Sequence, residues 1–163
     1  MTGLLAWLAQ TAPAQWLAHN PLAFPLLETV HVLAISLVLG TATIFDIRLL
    51  GLGWQGWPAG PLLTGLRKVA LAGFAGALAS GALLFLSQPE SYAQNLPFRA
   101  KLALLALAGL NLALFEGRYG RQQASWQHSA SVPAGARVQA GLSLGLWGAV
   151  LVAGRLIGFF LQG

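Results

Sequence analysis

Long apolar stretches separated by short polar breaks dominate the chain. Four of them are long enough to cross a bilayer, whose hydrocarbon core takes about 20 helical residues. They run from about Pro25 to Leu50, Val69 to Leu86, Phe98 to Phe115, and Val138 to Leu161. A backbone surrounded by lipid must satisfy its own N–H and C=O groups, so each run reads as a helix. The first run, at about 26 residues and about 39 Å, exceeds the hydrocarbon core and must tilt or protrude. The second ends at Ser87-Gln88-Pro89, and the third starts behind Pro97, where a missing N–H costs little. Residues 3–18 are different. Gln10, Pro13 and Gln15 break their apolar character, and no Lys or Arg precedes them, which argues against a signal peptide. They read as a short amphipathic helix in the membrane interface, with Trp7 and Trp16 at headgroup level. The expected fold is all-α: one integral membrane domain over residues 1–163, a bundle of four transmembrane helices with a short N-terminal interfacial helix.

Composition strengthens this reading. Of the 163 residues, 56% are hydrophobic and only 8% charged, with mean hydropathy +0.68. Soluble domains run about 25% charged, so most of this surface must face lipid. There is no cysteine, which excludes disulfides and thiolate metal sites. The net charge is +5, yet the nine Lys and Arg residues stand singly at the ends of apolar runs. They form no basic stripe of the kind that binds nucleic acid. Six of them (Arg48, Arg67, Lys68, Arg118, Arg121 and Arg137) flank the first and third loops, against Arg99, Lys101 and Arg155 at the other end. The positive-inside rule then puts those loops in the cytoplasm and both termini outside, which is the periplasm for a bacterial inner membrane.

Small residues recur at four-residue spacing: Gly73, Ala77 and Gly81 in the second span, with Gly76 and Ser80 on a neighbouring row, and Gly141 with Gly145 and Gly154 with Gly158 in the fourth. Such rows let helix backbones approach closely, within the chain, in a homodimer or in a larger membrane complex. A short repeat is also present. Phe45-Asp46-Ile47-Arg48 and Phe115-Glu116-Gly117-Arg118 close the first and third spans, as two parallel helix hairpins would place them.

Ionisable groups inside a membrane are costly, so each is a candidate site. Glu28 and His31 share a face of the first helix. His31 and Arg155 both lie about 9 Å below the same end of the bundle, and Lys101 opens the third helix. Pointing inward, these four residues would form one polar cluster suited to an anionic ligand, a pair of haem propionates or a proton relay. A structural Glu–Arg or Glu–Lys pair with snorkelling cations explains them equally well. His31 is the only histidine within a span, and its imidazole suits haem iron or copper as an axial ligand. A second axial ligand would have to come from His19 or from His31 of another protomer, or the haem would be five-coordinate, since His128 lies in a loop at the opposite end. The other half of the bundle holds Asp46, Asn111 and Glu116, with Asp46 in line with Glu28 five helical turns away. Apolar Ile35, Leu39 and Ala42 between them favour helix-end anchoring over a continuous acidic pathway, with Asn111 as interhelical glue. The polar segment from Glu116 to Arg137 reads as a loop or surface helix without a catalytic set, and no phosphate loop, Ser-His-Asp set or zinc-protease motif occurs.

Several stretches together resemble a bacterial family of uncharacterised four-helix membrane proteins: Glu28-Thr29-Val30-His31; Asp46-Ile47-Arg48-Leu49-Leu50-Gly51; Leu84-Phe85 with Pro89, Tyr92 and Asn95; Phe98 with Lys101; Ala108-Gly109-Leu110-Asn111; and Trp147 with Gly154-Arg155-Leu156-Ile157. The resemblance implies the four-span topology and no particular activity. That family's plan is similar to copper-resistance D-type proteins and small b-type cytochromes. Paired intramembrane histidines are missing, and Met1 is the only methionine, unlike copper(I) handlers. Three functions stay open: a redox-associated protein holding haem b through His31, with Arg155 and Lys101 at the propionates; a transporter or metal-handling protein using Glu28, His31 and Asp46; and a non-catalytic subunit packing through its glycine faces.

Overall fold

The computed structural model describes residues 2–126 and 131–160. Seven α-helices appear among them: α1 (Thr2–Ala9), α2 (Ala12–His19), α3 (Ala23–Leu50), α4 (Ala59–Ser87), α5 (Pro89–Gln94), α6 (Leu96–Tyr119) and α7 (Ala134–Phe160). Helices α3, α4, α6 and α7 have 28, 29, 24 and 27 residues and are each long and apolar enough to span a membrane. Only 17–28% of the most apolar stretch of each is buried in protein, so the apolar surface lies mostly on the outside of the bundle. The chain is therefore a membrane-spanning helical bundle. Helices α1, α2 and α5 and the end of α7 at Phe160 lie at one end of it, called here the terminal end. The α3–α4 and α6–α7 loops lie at the other, called the far end.

Helix α3 is the hub. Ala34, Val38, Thr41, Phe45, Arg48 and Leu49 form a buried stripe at helical spacing, and α3 packs along both α4 and α7. Helix α6 packs along α7. The α3–α4 approach is close because α4 presents glycine. A Cβ on Gly73 would stand 2.9 Å from the Ala34 carbonyl oxygen and 2.9 Å from Leu37 Cβ. The Gly73/Ala77/Gly81 row is thus used inside the chain. On α7, a Cβ on Gly141 or Gly145 would meet nothing within 4 Å, so that row is open.

Three boundaries differ from the sequence reading. Helix α4 starts at Ala59 rather than Val69, α6 runs on to Tyr119, and α7 starts at Ala134 rather than Val138. Hydropathy marks the lipid-facing part of a helix. The extra turns carry Arg67, Lys68, Arg118 and Arg137, which end the apolar stretch without ending the helix. The N-terminal segment is two short helices rather than one, with Trp7 and Trp16 exposed on them. His128 and the end of the fourth predicted span at Leu161 lie outside the described residues.

The far end is held by a compact core of Phe45, Leu49, Ala59, Phe115, Trp126, Val132, Ala136 and Ala140. Phe45 and Phe115, the matching residues of the short repeat, meet edge to face at 5.8 Å. The Ala59 N–H donates to the Trp126 carbonyl at 3.1 Å, which joins the two far-end loops. Arg48 is fully buried there, its Nε donating to the Trp57 carbonyl at 2.7 Å. The polar segment after Glu116 is accordingly not a free loop. It buries Gln123 and Trp126 around a short 3₁₀ turn.

Candidate functional site in the terminal half

His31 is held in one orientation. Its Nδ1 lies 2.9 Å from the Ser80 Oγ on α4. Ser80 spends its own proton on the Gly76 carbonyl, 2.6 Å away, so the imidazole must donate and the hydroxyl accept. The Ala77 carbonyl is a further acceptor beside the ring. In the neutral ring this fixes the proton on Nδ1 and leaves the lone pair on Nε2, the arrangement that a hydrogen-bonding neighbour imposes on a ligating histidine. Glycine makes the room: a Cβ on Gly81 would stand 2.9 Å from His31 Cε1.

Lys101 is the second member. It is half-buried in the second turn of α6, within electrostatic range of His31, and its Nζ would lie 3.7 Å from a Cβ on Gly154 of α7. No hydrogen bond or ion pair engages its ammonium among the described residues. The pair therefore joins an imidazole lone pair to an uncompensated cation, between α3, α4, α6 and α7.

The structure does not add Glu28 or Arg155 to this pair. Glu28 is exposed on α3 and forms no ion pair with Lys101 or Arg155. Arg155 is exposed, with its guanidinium over the Phe159 ring at 5.5 Å, a cation–π contact one helical turn along α7. His19 is exposed at the end of α2, where its Nδ1 lies 2.6 Å from the Gln15 carbonyl.

Above the pair, toward the terminal end, Phe85, Tyr92 and Phe98 form an aromatic cap. Phe85 and Phe98 stack at 5.6 Å, bridging α4 and α6, and Tyr92 lies 5.4 Å from Phe98. Burial pushes the Tyr92 hydroxyl above its ordinary pKa, and the Glu28 carboxylate adds to the shift. Asn95 fixes the start of α6. Its Oδ1 accepts from the Phe98 N–H at 2.9 Å, and its Nδ2 donates to the Ile157 carbonyl at 3.3 Å. The Asn-x-Pro sequence at a helix start signals such a cap, but nothing in the sequence signals the tether to α7.

In the far half, Asp46 and Asn111 are buried, while Glu116 is half-buried near the end of α6. The Asn111 Nδ2 donates to the Gln139 carbonyl on α7 at 3.1 Å, an interhelical bond. The Ser143 hydroxyl of α7 faces the Asp46 carboxyl. Among the described residues, no group of three or more His, Asp or Glu side chains converges as a metal site would require. Comparison with known protein families, curated proteins and solved structures found no match.

Proposed function

We propose that this protein is a binding protein of the bacterial inner membrane that takes an anion-bearing ligand between His31 and Lys101, with haem b as the ligand best suited to that donor set. The observation that carries the reading is the half-buried Lys101 ammonium without a counter-ion, beside an imidazole whose Nε2 is left as the acceptor. An unpaired cation in a membrane span is costly, and a ligand that brings the missing negative charge offsets that cost. Haem would place its iron on His31 Nε2 and a propionate on Lys101, and it would supply one-electron chemistry. The chain's own residues then have distinct tasks. Ser80 and Ala77 hold the imidazole tautomer, Gly81 admits the ring, and Lys101 balances charge. The positive-inside pattern of the sequence would put the terminal end in the periplasm.

The test is an absorption spectrum of detergent-purified protein expressed with haem supplied, oxidised and then dithionite-reduced. A b-type spectrum lost in His31→Ala and weakened in Lys101→Gln is expected. A colourless wild type removes haem from the proposal.

A second reading rests on α7. The open Gly141/Gly145 row is suited to a neighbouring helix, as in a non-catalytic subunit or a homodimer. Cross-linking in native membranes checks it: Gly141→Leu should abolish any cross-linked species.

A further inference from the structure

The far half of the bundle contains a carboxyl group that, among the described residues, has no ion pair and no hydrogen bond to one of its oxygens. Asp46 is 6% exposed, and its Oδ2 has no hydrogen-bond partner among the described residues. The Ser143 hydroxyl of α7 faces its carboxyl. One turn back along α7, on the same face, the Gln139 Oε1 is a second buried acceptor without a donor. Arg48, two residues from Asp46, turns to the other side of α3 and bonds the Trp57 carbonyl. Among the described residues, the other charged groups at this end are Arg67 and Lys68 on α4, Glu116 and Arg118 on α6, Arg121 just beyond it, and Arg137 on α7. None of them forms an ion pair with Asp46 among the described residues.

A bare carboxylate in such a place is costly, and unpartnered acceptors on both α3 and α7 add to that cost. One proton on Asp46 relieves that cost: it neutralises the carboxyl and turns its orphan Oδ2 acceptor into a donor. We propose that Asp46 is a proton-binding group of the far half, its proton held on the Oδ2 side and exchanged with water through the groove between α6 and α7. That groove, about 360 Å³, is lined by Ala113, Leu114, Gly117, Arg118 and Gln139, so Gln139 joins it to the polar cluster. The site is separate from the His31–Lys101 pair. Apolar Ile35, Leu39 and Ala42 lie between them on α3, so the exchange is one-sided.

Infrared difference spectroscopy in light and heavy water tests this on the detergent-purified protein at neutral pH. The expected result is a carbonyl band of a protonated carboxylic acid that shifts in heavy water, is lost in Asp46→Asn and is retained, displaced, in Asp46→Glu. Ser143→Ala, which keeps the acid, should move the band without removing it. Absence of the band in the wild type overturns the proposal. So does a band that persists unchanged in Asp46→Asn, or one that does not respond to heavy water. Circular dichroism of each variant verifies that its helices are intact.

Discussion

His31 shows how much a single side chain depends on neighbours that the sequence does not advertise. An ionisable residue in an apolar run stands out, so His31, Lys101 and Asp46 were legible from the pattern alone. Ser80 and Gly81 were not, because serine and glycine in such a run look like packing residues, and here they both pack and orient. If Ser80 sets the His31 tautomer, Ser80→Ala should leave the fold intact and weaken any ligand on Nε2 by about 10–100-fold, the usual effect of losing an orienting partner. A titration of haem followed by absorbance would measure it, and unchanged affinity would deny Ser80 that role. Arg155 fails to join the site for a reason of geometry. Depth along a helix follows from residue count, but direction around it depends on packing, and Phe159 offers the guanidinium a nearer surface. Asn95 is the opposite case, a polar residue whose importance is structural. It is 5% exposed and serves two helices, so Asn95→Ala should lower unfolding stability by about 1–2 kcal/mol in a detergent denaturation series.

Helices divide into those whose ends the apolar pattern marks and those it does not. The end of α3 at Leu50 and the turn at Ser87-Gln88-Pro89 were legible, because glycine at Gly51 and proline at Pro89 stop the helix chemically. Gly51 takes the left-handed conformation, at φ 78°, that caps α3. The starts of α4 and α7 were not legible, because charged turns continue a helix beyond the lipid without breaking it. The small-residue rows pose a similar ambiguity, since spacing predicts close approach but not the partner. The structure separates them, and the separation is measurable. Gly73→Ala must push a Cβ against backbone of α3 and should destabilise the α3–α4 pair by about 1–3 kcal/mol. Gly109→Ala on the exposed face of α6 meets nothing within 4 Å and should be neutral or stabilise by up to about 1 kcal/mol. Thermal unfolding of the two variants in one detergent makes the comparison, and equal effects would contradict the assigned α3–α4 contact.

At the scale of the whole molecule, the two hairpins are joined chiefly through α3 and α7, and at the far end they share a core that a soluble protein would recognise. The repeat of Phe, acid and Arg is one source of it, with Phe45 and Phe115 in contact near the centre. The two segments differ in surroundings: Arg48 is fully buried against the α3–α4 loop, whereas Arg118 is exposed at the groove between α6 and α7. Far-end rigidity bears on orientation, because it fixes which polar positions face water on each side. Gln122, beyond α6, and Ser91, on α5, are both exposed and stand at opposite ends of the bundle. The chain has no cysteine, so a single introduced thiol reports its own side without background. On the positive-inside rule, the six of nine cations that flank the far-end loops would retain those loops in the cytoplasm. In intact cells with a permeabilised outer membrane, Ser91→Cys should therefore react with a membrane-impermeant maleimide, and Gln122→Cys should react only after lysis. The reverse pattern would place the His31–Lys101 pair nearer the cytoplasm and the Asp46 cluster nearer the periplasm. It would exchange the sides from which ligand and proton arrive, while leaving the bundle itself unchanged.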